Sequence, residues 1–164
     1  MYQASAPRFA NTLKNLSAIL DKAKAHAAAK KIDETVLTSS RLYPDMFALS
    51  RQVQIACDSA KGAVARLAGV EIPKHEDTEK TFDELKERIA KTIAFINTVK
   101  AAQVDGTEDK EIVLKLQGKD VPTKGLTYLF GRAWPNFFFH TTTAYNILRH
   151  NGVELGKGDF IGTP

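Results

Sequence analysis

Few residues in this chain have types and spacing suited to chemistry, and His140 stands foremost among them. It closes a run of three phenylalanines in the stretch PNFFFHTTTAYNILRHNG, Pro135 to Gly152. Asn136 lies four positions earlier, so on a helix it shares a face with His140 one turn back. Gln54 and Asp58 stand in the same i, i+4 relation on another stretch with helical patterning. If the two stretches pack together, one imidazole, one carboxylate and two amides converge beneath Phe137, Trp134 and Tyr145. A divalent first-row metal at a reactive site takes three good protein ligands, mostly imidazole or carboxylate, and keeps a position open. Amides are poor zinc ligands, so His140, Asn136, Gln54 and Asp58 are expected to form a hydrogen-bonded polar pocket. Should zinc or nickel bind, His140 and Asp58 are the expected ligands.

The remaining histidines fit less well. His150 is ten residues beyond His140, about 15 Å along a helix, and with Arg149 it suits the negative end of the helix dipole. His75 falls in a polar loop and His26 on a helix surface. Cys57, the single cysteine, sits among Ile55, Ala56 and Ala60 and is expected as a small buried hydrophobe rather than a nucleophile. Glycine-rich phosphate loops, His-Glu-x-x-His, Cys-x-x-Cys and Gly-x-Ser-x-Gly are all missing.

Four long segments must position these residues. From about Pro7 to Lys30, Phe9, Leu13, Leu16, Leu20, Ala23 and Ala27 recur at helical spacing, with Ser5 as the expected N-cap. From about Asp45 to Leu67, Met46, Leu49, Val53, Ala56, Ala60, Ala63 and Leu67 form a second stripe, capped by Asp45 and stopped by Gly69. Thr81 and Glu84 form a capping box opening a third helix that ends near Lys100. Glu111 to Pro122 alternates around Gln117-Gly118, which predicts a short β-hairpin, and Thr123 to Arg132 follows as a short helix or turn. The fourth helix runs from Trp134 or Pro135 to Asn151, with a wide apolar face, and Gly152 stops it. Phe160 and Ile161 are expected to anchor the glycine-rich tail. The expected fold is all-α: a four-helix bundle with a short β-hairpin excursion between the third and last helices, a single domain over residues 1–164.

Composition sets the outer limits. Net charge is +4, from 23 basic and 19 acidic residues, and most lysines are interleaved with acids. No basic stripe of the kind nucleic acids require stands out. No apolar run approaches the ~20 residues needed to cross a bilayer, and MYQASAPRF shows no secretory leader. One cysteine allows no intrachain disulfide. A cytoplasmic protein with neither nucleic-acid nor membrane partners is expected.

With these residues in place, FHTTTAYNILRHNG resembles the last-helix signature of the DinB/YfiT-like metalloenzyme superfamily, in which a histidine precedes a Leu-Arg pair and a helix-ending glycine. His140, Leu148, Arg149 and Gly152 stand in that relation. The opening MYQASAPRF, the block PDMFALSRQVQIACDSAKGAVARLAG and the tail VELGKGDFIGTP are similar to one branch, the domain of unknown function nineteen ninety-three. The resemblance implies a DinB-like bundle, often a homodimer. It also implies a three-histidine metal site whose last ligand matches His140, while Asn136 and Gln54 occupy the other two positions. Two expectations follow. One is a metal-free bundle with a degenerate pocket that takes a small molecule or a partner. The other is a metal-dependent thiol-linked transferase or hydrolase with a rearranged site around His140.

Overall fold

The structure is a computed structural model that describes residues 1–162. A short 3₁₀ turn, Tyr2–Ala4, leads into α1 (Ala6–Lys30). The chain continues through α2 (Glu34–Thr38), α3 (Leu49–Ala68), α4 (Phe82–Thr98) and α5 (Ala101–Val104). A hairpin of β1 (Glu111–Leu116) and β2 (Lys119–Lys124) follows, then α6 (Gly125–Tyr128), α7 (Trp134–His150) and α8 (Lys157–Ile161). Helices α1, α3, α4 and α7 form the bundle: α3 packs between α4 and α7, and α1 closes the ring against both.

The apolar stripes explain the packing. Leu13, Leu16 and Leu20 of α1 meet Leu85 and Ile89 of α4 and Phe137 and Leu148 of α7 in one fully buried core. Phe9 packs edge-on to Phe137 with ring centroids 4.9 Å apart, a favoured aromatic geometry. On α3 several core positions are alanine, among them Ala56, Ala60 and Ala63. Short side chains let its neighbours approach closely, and that brings polar groups on α7 within reach of polar groups on α3.

Helix ends depart from expectation in two places. Asp45 does not cap α3, which begins four residues later at Leu49 with Ala48 at the cap position and no side-chain cap. Pro44 and Asp45 form a turn instead, and Leu49 N–H bonds back to Ser40 O at 2.9 Å. Ser5 does occupy the N-cap position of α1, but its hydroxyl donates backwards to Met1 O and Tyr2 O and caps nothing. The Thr81–Glu84 capping box of α4 is formed in full. Gly69 and Gly152 end α3 and α7 in left-handed conformations, φ 73° and 87°, which only glycine adopts without cost.

The hairpin is antiparallel and pairs Glu111 with Lys124 through Leu116 with Lys119. Its two-residue turn, Gln117-Gly118, has positive φ at both positions, the twist-matched geometry of tight hairpins. Gly125 returns the chain to the bundle: a side chain there would collide with the carbonyl of Thr107. From Gly125 the helical path is unbroken to His150, except for one π-helical turn, Leu129–Ala133, that joins α6 to α7. The tail packs as α8 on α1: Lys22 pairs with Asp159 at 2.6 Å and Asn15 donates to Phe160 O. Phe160 does anchor it, against Tyr145; Ile161 is exposed instead.

Candidate functional site

The polar residues singled out in the sequence are divided among three places. His140 is buried and faces α3, but its partner is Gln52 rather than Gln54: His140 Nδ1 lies 2.7 Å from Gln52 Oε1. Gln52 Nε2 donates to Phe47 O at 3.1 Å, which fixes the amide and turns Oε1 to the imidazole. Nδ1 therefore carries the proton, and the lone pair is on Nε2. Burial, then the nearby Arg51 guanidinium, holds the His140 pKa below its ordinary 6.5, so the ring is neutral at pH 7. The Phe139 ring stands edge-on to it, 5.2 Å between centroids.

Gln54 and Asp58 belong to a second cluster, between α3, α4 and the loop that joins them. Arg88 is at its centre, 2% exposed. Its guanidinium meets Asp58 and Asp77 at 2.9 Å each and Glu79 at 3.1 Å. Lys61, also buried, pairs with Asp58 at 2.8 Å, and Arg51 pairs with Asp77. Gln54 donates to Glu79 at 2.9 Å. Burial works against the charge on Arg88, but Asp58 and Glu79 outweigh it and hold the pKa above its ordinary value. Three carboxylates here balance three cations, so the cluster is a neutral structural network. Cys57 lies beside it, fully buried, its thiol pushed up to about 12, chiefly by desolvation. His75 stays in the loop as expected, half-buried, with Nδ1 lacking a hydrogen-bond partner among the described residues.

Asn136 opens onto a third place. Its Nδ2 donates to Ser59 Oγ at 2.6 Å, and both residues line a cavity of about 440 Å³ between α3, the hairpin and the π-helical turn. Asp58, Arg66, Tyr128 and Arg132 share the wall, and Val113, Leu114 and Leu116 of β1 close it from the other side. That size suits a small organic ligand. The π-helical turn contributes Arg132 and Ala133 to the wall, between Tyr128 before it and Asn136 after it. Such turns recur at functional sites.

The aromatic roof is distributed differently from expectation. Phe137 is a core residue. Trp134 Nε1 donates to Ala4 O at 3.0 Å, and its ring packs between Phe130 and Phe138. Tyr145 faces the tail. All three stabilise α7 rather than cover a shared pocket.

The chain matches the family described as Domain of unknown function (DUF1993) over residues 1–161. It belongs to that family. A solved structure agrees: a DinB family member protein from Shewanella denitrificans is 46% identical and superimposes with a TM-score of 0.93. The match covers 99% of this chain and 92% of that one. No curated protein matches it significantly. The fold is thus the DinB-like bundle with its hairpin.

The three-histidine metal site that the sequence resemblance implies meets a poor donor set here. Among the described residues no three His, Cys, Asp or Glu side chains stand close enough to hold an ion. His140 has an amide behind it, Asn136 is turned to Ser59, Gln54 to Glu79, and Asp58 is committed to Arg88 and Lys61. One imidazole with amides does not fit a divalent first-row metal. Sequence reasoning missed Gln52 and Ser59. A signal for both existed: Gln52 is three residues after Leu49 and four before Ala56, and Ser59 is three after Ala56 and four before Ala63, so both fall on the buried stripe.

Proposed function

We propose that this protein is a small-molecule-binding bundle that works without a resident metal, and that its ligand site is the cleft beneath the hairpin. The observation that carries this reading is the 440 Å³ cavity that opens where Asn136 and Asp58 stand. Polar groups whose hydrogen bonds are only partly used line it, against an apolar wall from β1. An NMR screen of small organic fragments tests it directly. Saturable shifts at Ser59, Tyr128 and Asn136 are expected; a screen with no shifts there would contradict the reading.

One observation favours a second reading, a metal-dependent enzyme around His140. Metal-bound histidines carry a hydrogen bond on the nitrogen that does not ligate, and the Gln52 bond leaves Nε2 with its lone pair. The surrounding amides supply too few further ligands, which is why the first reading is preferred. Zinc or nickel binding that is lost in His140→Ala would reverse the order.

We also propose a homodimer. Phe47 and Phe139, 54% and 56% exposed, both adjoin the Gln52–His140 pair, and exposed aromatic surface of this kind is what an interface covers. Among the described residues no helix is long and apolar enough to cross a membrane.

A further inference from the structure

The cavity beneath the hairpin has a chemical bias, and from it the class of ligand follows. This step rests on the reading of that cavity as the ligand site. Its wall carries three cations, Arg66, Lys115 and Arg132, none of which forms an ion pair among the described residues. The one carboxylate there, Asp58, is already matched by Arg88 and Lys61. The cavity is therefore net positive, which favours an anionic ligand.

The neutral groups point the same way. Arg66 Nη1 donates to Tyr128 Oη at 3.2 Å, so the phenol oxygen is accepting and its own proton is free to be given. Burial raises the Tyr128 pKa, against the opposing pull of Arg66 and Arg132, so the proton stays on oxygen. Ser59 accepts from Asn136, and its hydroxyl proton is likewise uncommitted. Two guanidinium groups, an ammonium, a phenol and a hydroxyl thus all offer donors, and a carboxylate or phosphate is acceptor-only. On β1, beside Lys115, the side chains of Val113, Leu114 and Leu116 add hydrocarbon to the wall.

We infer that the cavity binds an organic oxyanion, a carboxylate or a phosphate monoester on a short apolar chain. The headgroup is held by Arg66, Arg132 and Tyr128, and the chain lies along β1. Gly62 serves this arrangement: a Cβ there would stand 2.6 Å from Arg66 Nη1, so the missing side chain gives the guanidinium its place against α3.

The test is an NMR titration of the full chain with hexanoate, hexyl phosphate, the neutral isostere hexanamide, and inorganic phosphate. Saturable shifts at Ser59, Arg66, Tyr128 and Asn136 are expected with hexanoate or hexyl phosphate, and the stronger of the two identifies the headgroup. Arg66→Gln should weaken that binding roughly tenfold or more. Arg132→Gln, at an exposed position, should weaken it in the same direction if the first variant fails to fold. Hexanamide binding as tightly as the anions would overturn the oxyanion inference while leaving the cavity as a ligand site. Inorganic phosphate binding as tightly as hexyl phosphate would overturn the apolar half. Silence from all four would overturn the inference entirely, and the fragment screen then decides separately whether the cavity takes any ligand.

Discussion

At the scale of single residues, hydrogen-bond commitments decide what His140 does. Gln52 presents its oxygen because its nitrogen is held by Phe47 O, so Gln52→Ala leaves a buried N–H unpaired. A loss of about 1–3 kcal/mol is expected, measured by urea denaturation. The depressed His140 pKa also has a sign. As pH falls through 6.5 the unfolded chain takes a proton that the folded ring resists, so the stability this ring contributes is present above 6.5 and is lost as pH falls through its lower folded value. His75, depressed by burial and by Lys61 and Arg88, acts in the same direction. Denaturation midpoints should drop from about pH 7.5 to about pH 5.5, and His140→Gln should flatten part of the drop. An unchanged slope in that variant would assign the effect to His75 alone. Cys57, with its thiol near 12, should resist alkylation at pH 8 until the protein unfolds; fast labelling of native protein would show that α3 and α4 part readily.

At the scale of elements, the stripes, the capping box of α4, the hairpin and the glycine stops were all legible, because each follows from local spacing or backbone conformation. The start of α3 was not. Asp45 has the chemistry of a cap, but it lies in an exposed turn with Pro44, and Ala48 stands at the helix start. Which face of α3 meets His140 follows from the stripe through Leu49, Gln52 and Ala56, and two glutamines two residues apart, Gln52 and Gln54, could not be separated by type. The π-helical turn Leu129–Ala133 has no sequence signature, yet it places Arg132. Two glycines test this scale. Gly125→Ala drives a methyl into the Thr107 carbonyl and should cost roughly 1–3 kcal/mol, seen as a lowered melting temperature. Gly62→Ala adds helix propensity of about 1 kcal/mol but displaces Arg66, so it should keep or raise stability while weakening oxyanion binding. Unchanged binding in that variant would show that Arg66 does not hold the ligand.

Across the whole molecule, the seam between α3 and α7 joins two bonded pairs, His140 with Gln52 and Asn136 with Ser59, while Arg88 ties α3 to α4 and the loop before it. Removing the guanidinium by Arg88→Met would leave Asp58, Asp77 and Glu79 without their shared partner, a loss of about 3–5 kcal/mol readable by denaturation. A homodimer through Phe47 and Phe139 should show in light scattering and dissociate in Phe139→Asp; a monomer at micromolar concentration would count against it. His140, Asn136, Gln54 and Asp58 are each bonded to another side chain, and the proposal that they hold no ion rests on those bonds. The most direct measurement is elemental analysis of protein purified without a histidine tag and equilibrated in turn with zinc, nickel and manganese. Far less than one metal per chain is expected in every case. About one per chain, lost in His140→Ala, would contradict it and make His140 the ligand of a metal centre.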